Sequence, residues 1–289
     1  MRFPIDRLLR SAAVVLGLAL AFGLPARAAD SELTVMTYNL RYASRTPPNA
    51  WPDRLPIMTE LITAQKPDVI GTQEGLYPQL RDLAAGLPDY EWIGLGRDGG
   101  SRGEFMAVFY RRDRLDPVAY DHFWLSDTPE VIGSSTWGNS NRRMVTWVRF
   151  KDRRTGKEFH FWNTHLDHEI QPAREKAAEL IRKRIDALKS DLPLLLVGDF
   201  NAVSGANKAY DILVGDGFLR DTWPLAAERR NERFNTFNSF RPARQDSQRI
   251  DWILLRGKGQ VRATEIVTFD KGGQYPSDHF PVVVWLTLE

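Results

Sequence analysis

Leu194-Leu195-Leu196-Val197-Gly198-Asp199-Phe200-Asn201 is an unbroken apolar run that ends in a polar cluster. An apolar run without polar alternation suits a strand buried on both faces. Asp199 and Asn201 then stand where that strand opens into a loop. The pattern recurs on either side along the chain. Leu33-Thr34-Val35-Met36-Thr37-Tyr38 leads to Asn39, Asp68-Val69-Ile70-Gly71-Thr72-Gln73 to Glu74, and Phe159-His160-Phe161-Trp162-Asn163-Thr164 to His165. Near the C-terminus the order reverses, with Ser277-Asp278-His279 ahead of Phe280-Pro281-Val282-Val283-Val284-Trp285. One such cluster reads as an ordinary turn or helix cap. Five with matching chemistry read as a single site held on the ends of a rigid sheet.

Apolar runs predict strands at Leu33–Leu40, Val69–Thr72, Phe105–Tyr110, Val145–Phe150, Phe159–Thr164, Leu192–Val197, Ile250–Leu255 and Pro281–Leu288. Helical spacing of Ala177, Ile181, Ile185 and Leu188 predicts a helix over Pro172–Ser190, and weaker patterns predict helices over Trp51–Gln65 and Tyr77–Leu87. Asp152-Arg153-Arg154-Thr155-Gly156-Lys157 reads as a hairpin turn. Runs of adjacent strands interrupted by helices point to sheets packed face to face with helices outside, not to a simple parallel sheet. There is no internal repeat and no dividing linker.

The N-terminus is read separately. Arg2, Arg7 and Arg10 precede an apolar run, Ala12 to Leu24, that is short for a bilayer span, and Ala26-Arg27-Ala28 supplies small residues for signal cleavage. Residues 1–28 are expected to be a cleaved signal peptide and 29–289 one domain, placing the mature protein in the periplasm or outside the cell without stable membrane insertion. Residues 1–28 hold Arg2, Arg7, Arg10 and Arg27 against Asp6, so removing them takes the net charge from +2 to −1. That removes the positive field on which nonspecific nucleic-acid binding depends, so nucleic acid is not favoured as a partner. With 43% hydrophobic residues the chain has enough apolar material for one large core, and no partner chain is called for, so a monomer is expected. No cysteine is present, which excludes disulfides and thiolate zinc sites.

The strand-end residues carry consistent chemistry. Glu74, Asp199 and Asp278 offer carboxylates, and Asn39 and Asn201 offer amide oxygens. These hard donors suit magnesium or manganese, with calcium also compatible. A divalent ion neutralises a phosphate ester and stabilises the leaving oxygen, while a His paired with a carboxylate activates the nucleophile. His279, next to Asp278, and His165 are the candidate histidines; His122, His160 and His168 are read as structural or surface residues. Asp251 lies in an apolar run, where an unpaired carboxylate is costly and a His N–H is a natural partner.

Six segments taken together resemble the endonuclease/exonuclease/phosphatase superfamily: Thr37–Arg41, Gly71–Glu74, Asn163–Asp167, Gly198–Asn201, Arg249–Ile253 and Ser277–Val282. The resemblance covers about residues 33–288, in the family's order. It implies an α+β fold, a four-layer α/β/β/α sandwich with two mostly antiparallel sheets flanked by helices. It implies a metal held by Glu74 with Asn39 and Asp278, and Asp199 and Asn201 positioning water and phosphate. It further implies His279 as general base oriented by Asp251, and His165 as a phosphate contact. Glu104 is expected to orient His165, and Arg143 to bind substrate phosphate through its planar fork. Phe123–Glu130 resembles a stretch of secreted bacterial members of uncertain substrate.

The expected activity is metal-dependent phosphodiester or phosphomonoester hydrolysis. An extracellular nuclease is the alternative within that chemistry. A catalytically silent binding module is the alternative outside it, and would show gaps in the metal and acid/base set; the main motifs have none. Trp51, Trp124 and Trp137 lie outside the strand cores and are candidates either for lining a substrate cleft or for the core, the commoner fate of Trp.

Overall fold

The computed structural model describes residues 31–289. The signal-peptide reading lies outside the described residues. In chain order the elements begin β1 (Glu32–Asn39), α1 (Trp51–Gln65), β2 (Val69–Gln73), β3 (Gly75–Leu76), α2 (Tyr77–Gly86) and β4 (Tyr90–Ile93). There follow β5 (Glu104–Phe105), β6 (Val108–Arg111), β7 (Leu115–Trp124), β8 (Met144–Asp152), β9 (Glu158–His165), α3 (Gln171–Ala187) and β10 (Leu194–Asp199). The last are α4 (Lys208–Val214), β11 (Arg220–Asp221), α5 (Thr222–Leu225), β12 (Glu228–Arg230), β13 (Asp251–Arg256), β14 (Gly259–Ile266) and β15 (Val282–Leu288).

Two sheets carry the molecule. One has seven strands in the order β12-β14-β15-β1-β2-β6-β4, the other six in the order β11-β13-β10-β9-β8-β7. Most neighbours are antiparallel, but β1 pairs β2 and β9 pairs β10 in parallel. A parallel neighbour needs a crossover, and α1 and α3 supply them.

Period-two alternation sets the layers. On β10, Leu195 and Val197 face the apolar layer between the sheets, while Leu194 and Leu196 face the layer beneath α3. On β15, Val282, Val284 and Leu286 join the inner layer, and Val283 joins the outer layer with Met58, Leu61 and Leu80 of α1 and α2. Both sheets are thus covered on both faces, which is why their central strands read as continuous apolar runs. The four-layer sandwich is as expected.

The helices keep sequence-legible boundaries. Pro52 and Pro172 sit in the first turns of α1 and α3, where the missing N–H costs nothing. Asp167 Oδ1 accepts from the N–H groups of Glu169 and Ile170 just ahead of α3. The hairpin at Asp152–Lys157 is present, with Asp152 Oδ1 accepting from Arg154 N at 2.8 Å. One expected strand is divided: Phe105–Tyr110 splits into β5, paired with β3, and β6, paired with β2 and β4.

Among the described residues no helix is long and apolar enough to cross a membrane.

Candidate active site

Strand register gathers the polar clusters. Asn39 stands opposite Gln73, one residue before Glu74, across the parallel β1/β2 pair. His165 stands opposite Asp199 across β9/β10, and Asp199 opposite Asp251 across β10/β13. β15 runs antiparallel to β1, so the Asp278-His279 segment entering it lies at the same end as Asn39. Gly71 lets the two sheets approach: a Cβ there would lie 2.3 Å from Val197 Cγ2 and 2.8 Å from Asn163 Oδ1. In the space it leaves, Gln73 Nε2 donates to Asn163 Oδ1 at 2.7 Å, and Asn163 Nδ2 donates to the Thr72 and Ala107 carbonyls, a polar stitch between sheets directly behind the site.

Asp199 is the hub. Its Oδ1 accepts from Asn201 N at 2.9 Å, and its Oδ2 accepts from Asn39 Nδ2 at 2.9 Å. The same Oδ2 lies 3.5 Å from His165 Nε2 and 3.6 Å from His279 Nε2. His279 Nδ1 meets Asp251 Oδ2 at 3.0 Å, which is the His–Asp pair expected from sequence. Burial disfavours the charged imidazole of His279, but Asp251 and Asp199 outweigh it and push its pKa up to about 10. Burial, then Asp251, pushes Asp199 up to about 7. Two carboxylates facing one ring favour its protonated form. His165 is the opposite case. Burial and the cations Arg143 and Arg97 hold it well below the usual His range, so it is neutral, with Asn201 Nδ2 3.0 Å from its Nε2.

The metal-type carboxylates lie on the other side of Asn39. Its Nδ2 also donates to Glu74 Oε1 at 3.0 Å, while its Oδ1 accepts from Arg41 N at 2.9 Å. Asn39 therefore ties Glu74 to Asp199 through its nitrogen, where the sequence reading had its oxygen facing a metal. Arg41 places Nη1 3.7 Å from Glu74 Oε2 and Nε 3.6 Å from Asp278 Oδ2. Burial, opposed by His279 and reinforced by Glu74, raises the Asp278 pKa, and its Oδ1 is buried without a hydrogen-bond partner. Paired carboxylates with an unused buried oxygen, bridged by a cation, fit a divalent ion. Asp199, Asp251 and His279 also place ligand atoms within 4.8 Å of one another. There, however, His279 Nδ1 is already committed to Asp251, so that trio reads as the acid/base set.

Four non-glycine residues of the cleft wall have positive φ: Arg41, Glu74, Asn201 and Ser239, at 53°, 63°, 48° and 54°. Asn tolerates the left-handed region, but Arg and Glu do so at a cost of about 1–3 kcal/mol each, the kind of strain that functional sites hold.

These groups line a cleft of about 580 Å³. Of the ten residues singled out from sequence, eight line it, and Asn39 and Asp251 sit behind it. Arg143 is 4% exposed, with Nε 3.8 Å from the buried Asp167 Oδ2 and Nη1 without a hydrogen-bond partner, so it is not a surface ion pair. Its Nη2 lies 3.1 Å from His168 Nδ1. Glu104 does not orient His165. Its carboxylate pairs with Arg97 Nη1 at 2.6 Å, and His165 Nδ1 has no partner. An arginine from the glycine-rich Gly96–Gly103 loop claims Glu104 first. Arg41, Arg97, His168 and Phe237 complete the walls and were not singled out. Phe237 sits edge-on to His279, ring centres 5.1 Å apart. Trp51 and Trp124 are buried, with their indole N–H groups bound to Asp82 and the Arg97 carbonyl, and do not line the cleft.

Arg54 is the largest omission from the sequence reading. It is fully buried and donates to five backbone carbonyls, of Leu40, Arg41, Tyr42, Asn49 and Pro276. It thereby clamps the loop bearing Arg41 to the loop bearing Asp278.

Residues 36–279 match the Endonuclease/Exonuclease/phosphatase family. Two proteins of Bacteroides thetaiotaomicron share the fold at high similarity. One is an endonuclease/exonuclease/phosphatase family protein, 36% identical with a TM-score of 0.85, over 89% of this chain and 95% of that one. The other is a mannosyl-6-phosphatase, 36% identical with a TM-score of 0.83, over 88% of this chain and 99% of that one. Nocturnin of Drosophila melanogaster is 25% identical over 280 residues, 81% of this chain but 41% of that protein's length. The fold, the convergent strand ends and these likenesses agree: the chain belongs to the endonuclease/exonuclease/phosphatase family, whose members are phosphoric ester hydrolases.

Proposed function

We propose that this chain is an exported, divalent-metal-dependent phosphoesterase acting on a phosphomonoester of a sugar or similar small polar molecule. The observation that carries the reading is one cleft in which paired carboxylates, a His–Asp pair and a buried arginine whose Nη1 has no hydrogen-bond partner face the same space. Glu74 and Asp278 would hold the ion. Magnesium or manganese, when bound, supplies charge neutralisation and polarises a phosphoryl oxygen. Arg143 offers a guanidinium charge and an Nη1–H without a hydrogen-bond partner, which a phosphate dianion would satisfy. Asn201 Nδ2 is engaged by His165 Nε2 and the Leu166 carbonyl, so Asn201 and His165 shape the wall beside the phosphate. A proton leaving the attacking water finds an acceptor in Asp199 Oδ2, 3.6 Å from the His279 ring that Asp251 fixes.

The small-sugar reading draws on the likeness to the mannosyl-6-phosphatase, which extends over 99% of that chain. It also draws on the near-neutral charge of the mature sequence, which gives no extended field for a polyanion. The test is phosphate release from mannose 6-phosphate beside cleavage of bis(p-nitrophenyl) phosphate and single-stranded DNA, using the exported chain with its N-terminus checked at Ala29. The sugar phosphate should turn over fastest. DNA cleavage outpacing it would replace the substrate class with a nucleic acid, and no hydrolysis of any of the three would favour a silent binding module.

Arg143→Met should raise KM for the phosphate ester about 10–100-fold, the loss of one or two charge-assisted hydrogen bonds, with a smaller change in kcat. An unchanged KM would remove Arg143 from the phosphate site.

A further inference from the structure

A second cavity, of about 710 Å³, lies between α3 and the outer face of the six-stranded sheet. Its volume falls in the range of small-molecule sites, roughly 300–1,000 Å³. Trp137, Trp147 and Trp162 line it with Phe123. Trp147 and Trp162 are cross-strand partners on β8 and β9, and Trp137 comes from the loop between β7 and β8. Trp137 and Trp147 are only half-buried, so part of each side chain remains accessible.

Two further observations separate this cavity from a packing fault. First, Trp162 is 1% exposed and its Nε1 has no hydrogen-bond partner. A buried indole donor is normally satisfied, so this one marks a cavity wall whose polar demand the protein leaves unmet. Second, the polar wall is mixed in sign. Asp121, Asp127 and Glu130 stand against Lys183 and Arg184, and Arg184 is paired to Glu130. Asp127 Oδ1 accepts from Trp137 Nε1 at 2.8 Å, fixing the indole plane, and Lys176 Nζ lies 5.9 Å from that ring.

We infer that this cavity is a binding site for a neutral saccharide. Flat indole faces suit the C–H faces of a pyranose, and the mixed carboxylates and cations suit its hydroxyls as donors and acceptors together. A quaternary ammonium ligand would also use an aromatic cage, and with Asp121 and Asp127 in the wall it is the competing occupant in the test. A phosphate is opposed by Asp121 and Asp127. The loop between β7 and β8 contributes to both sites: Ser126, Asp127 and Trp137 to this cavity, Asn141 and Arg143 to the catalytic cleft. A saccharide held here therefore touches the same loop that carries the phosphate-facing arginine.

The test is tryptophan fluorescence and calorimetric titration of the mature chain with unphosphorylated methyl α-mannoside, maltose and cellobiose, and with choline. At least one saccharide should bind saturably in the millimolar range or tighter, and Trp137→Ala should weaken it about tenfold, the loss of one aromatic platform. Lys183→Ala, an exposed substitution that leaves the cavity walls folded, should weaken it less. Binding should persist in His279→Ala, which separates this cavity from the cleft. Because the ligands carry no phosphate, the outcome is independent of whether the catalytic reading holds. No saccharide binding, choline binding alone, or binding lost in His279→Ala but retained in Trp137→Ala would each overturn the inference.

Discussion

His279→Ala is expected to lower kcat by roughly 10²–10⁴-fold, the range of a positioned acid/base group, with the fold retained by circular dichroism. The reason is geometric. His279 reaches Asp251 through Nδ1 and approaches Asp199 through Nε2, so it is the one imidazole joining both buried carboxylates. Asp251→Asn should cost a comparable amount, because an amide no longer enforces the tautomer or the ring's orientation. If the two act as a unit, the double variant should be no slower than the worse single variant by more than a few-fold. Fully additive losses in kcat would show that Asp251 acts independently of the ring.

The second large effect is on stability. Arg54→Leu should cost about 3–5 kcal/mol in denaturant unfolding, because it leaves several buried carbonyls without donors. Arg54→Lys should recover part of that loss, since an ammonium keeps the charge but lacks the planar fork that spans separate carbonyls. Its partners are the carbonyls of Leu40, Arg41 and Tyr42 on one loop, Asn49 beside α1, and Pro276 just before Asp278. Activity in Arg54→Lys should therefore fall more than its residual stability explains. A destabilisation below about 1 kcal/mol for Arg54→Leu would mean the clamp is redundant.

Arg54 also shows where the sequence stops being readable. An arginine inside an amphipathic helix pattern reads as a solvated face, and nothing local says that two distant loops bring carbonyls to it. The strand-end clusters were legible because the apolar runs before them are buried on both faces and so lack alternation. β7 and β14 were not recognised for the converse reason. Leu115-Asp116-Pro117-Val118-Ala119 lies on an edge strand, interrupted by Pro117 and a register shift, and Gly259–Ile266 alternates polar and apolar residues around a bulge. The His279–Asp251 pairing came from the family resemblance, and the cost of a lone carboxylate in an apolar run supported a His partner without saying which. Glu104 was misassigned because its true partner, Arg97, sits in a glycine-rich loop whose path depends on the whole fold. Asn39 was placed correctly at the site, but which amide atom faces the carboxylates is set by Arg41 N, a backbone group with no sequence signature.

The central claim is that Glu74 and Asp278 hold a divalent ion beside a His279–Asp251 pair, and that the two sets work together on one phosphate ester. The most direct measurement is hydrolysis by the metal-stripped mature chain as magnesium is titrated in, with wild type, Glu74→Gln and His279→Ala side by side. The account predicts no turnover before metal is added, and a half-maximal magnesium concentration about 10–100-fold higher for Glu74→Gln. It predicts that His279→Ala stays near background at every concentration. Turnover that persists in chelator, or a Glu74→Gln variant that titrates like wild type, would contradict it.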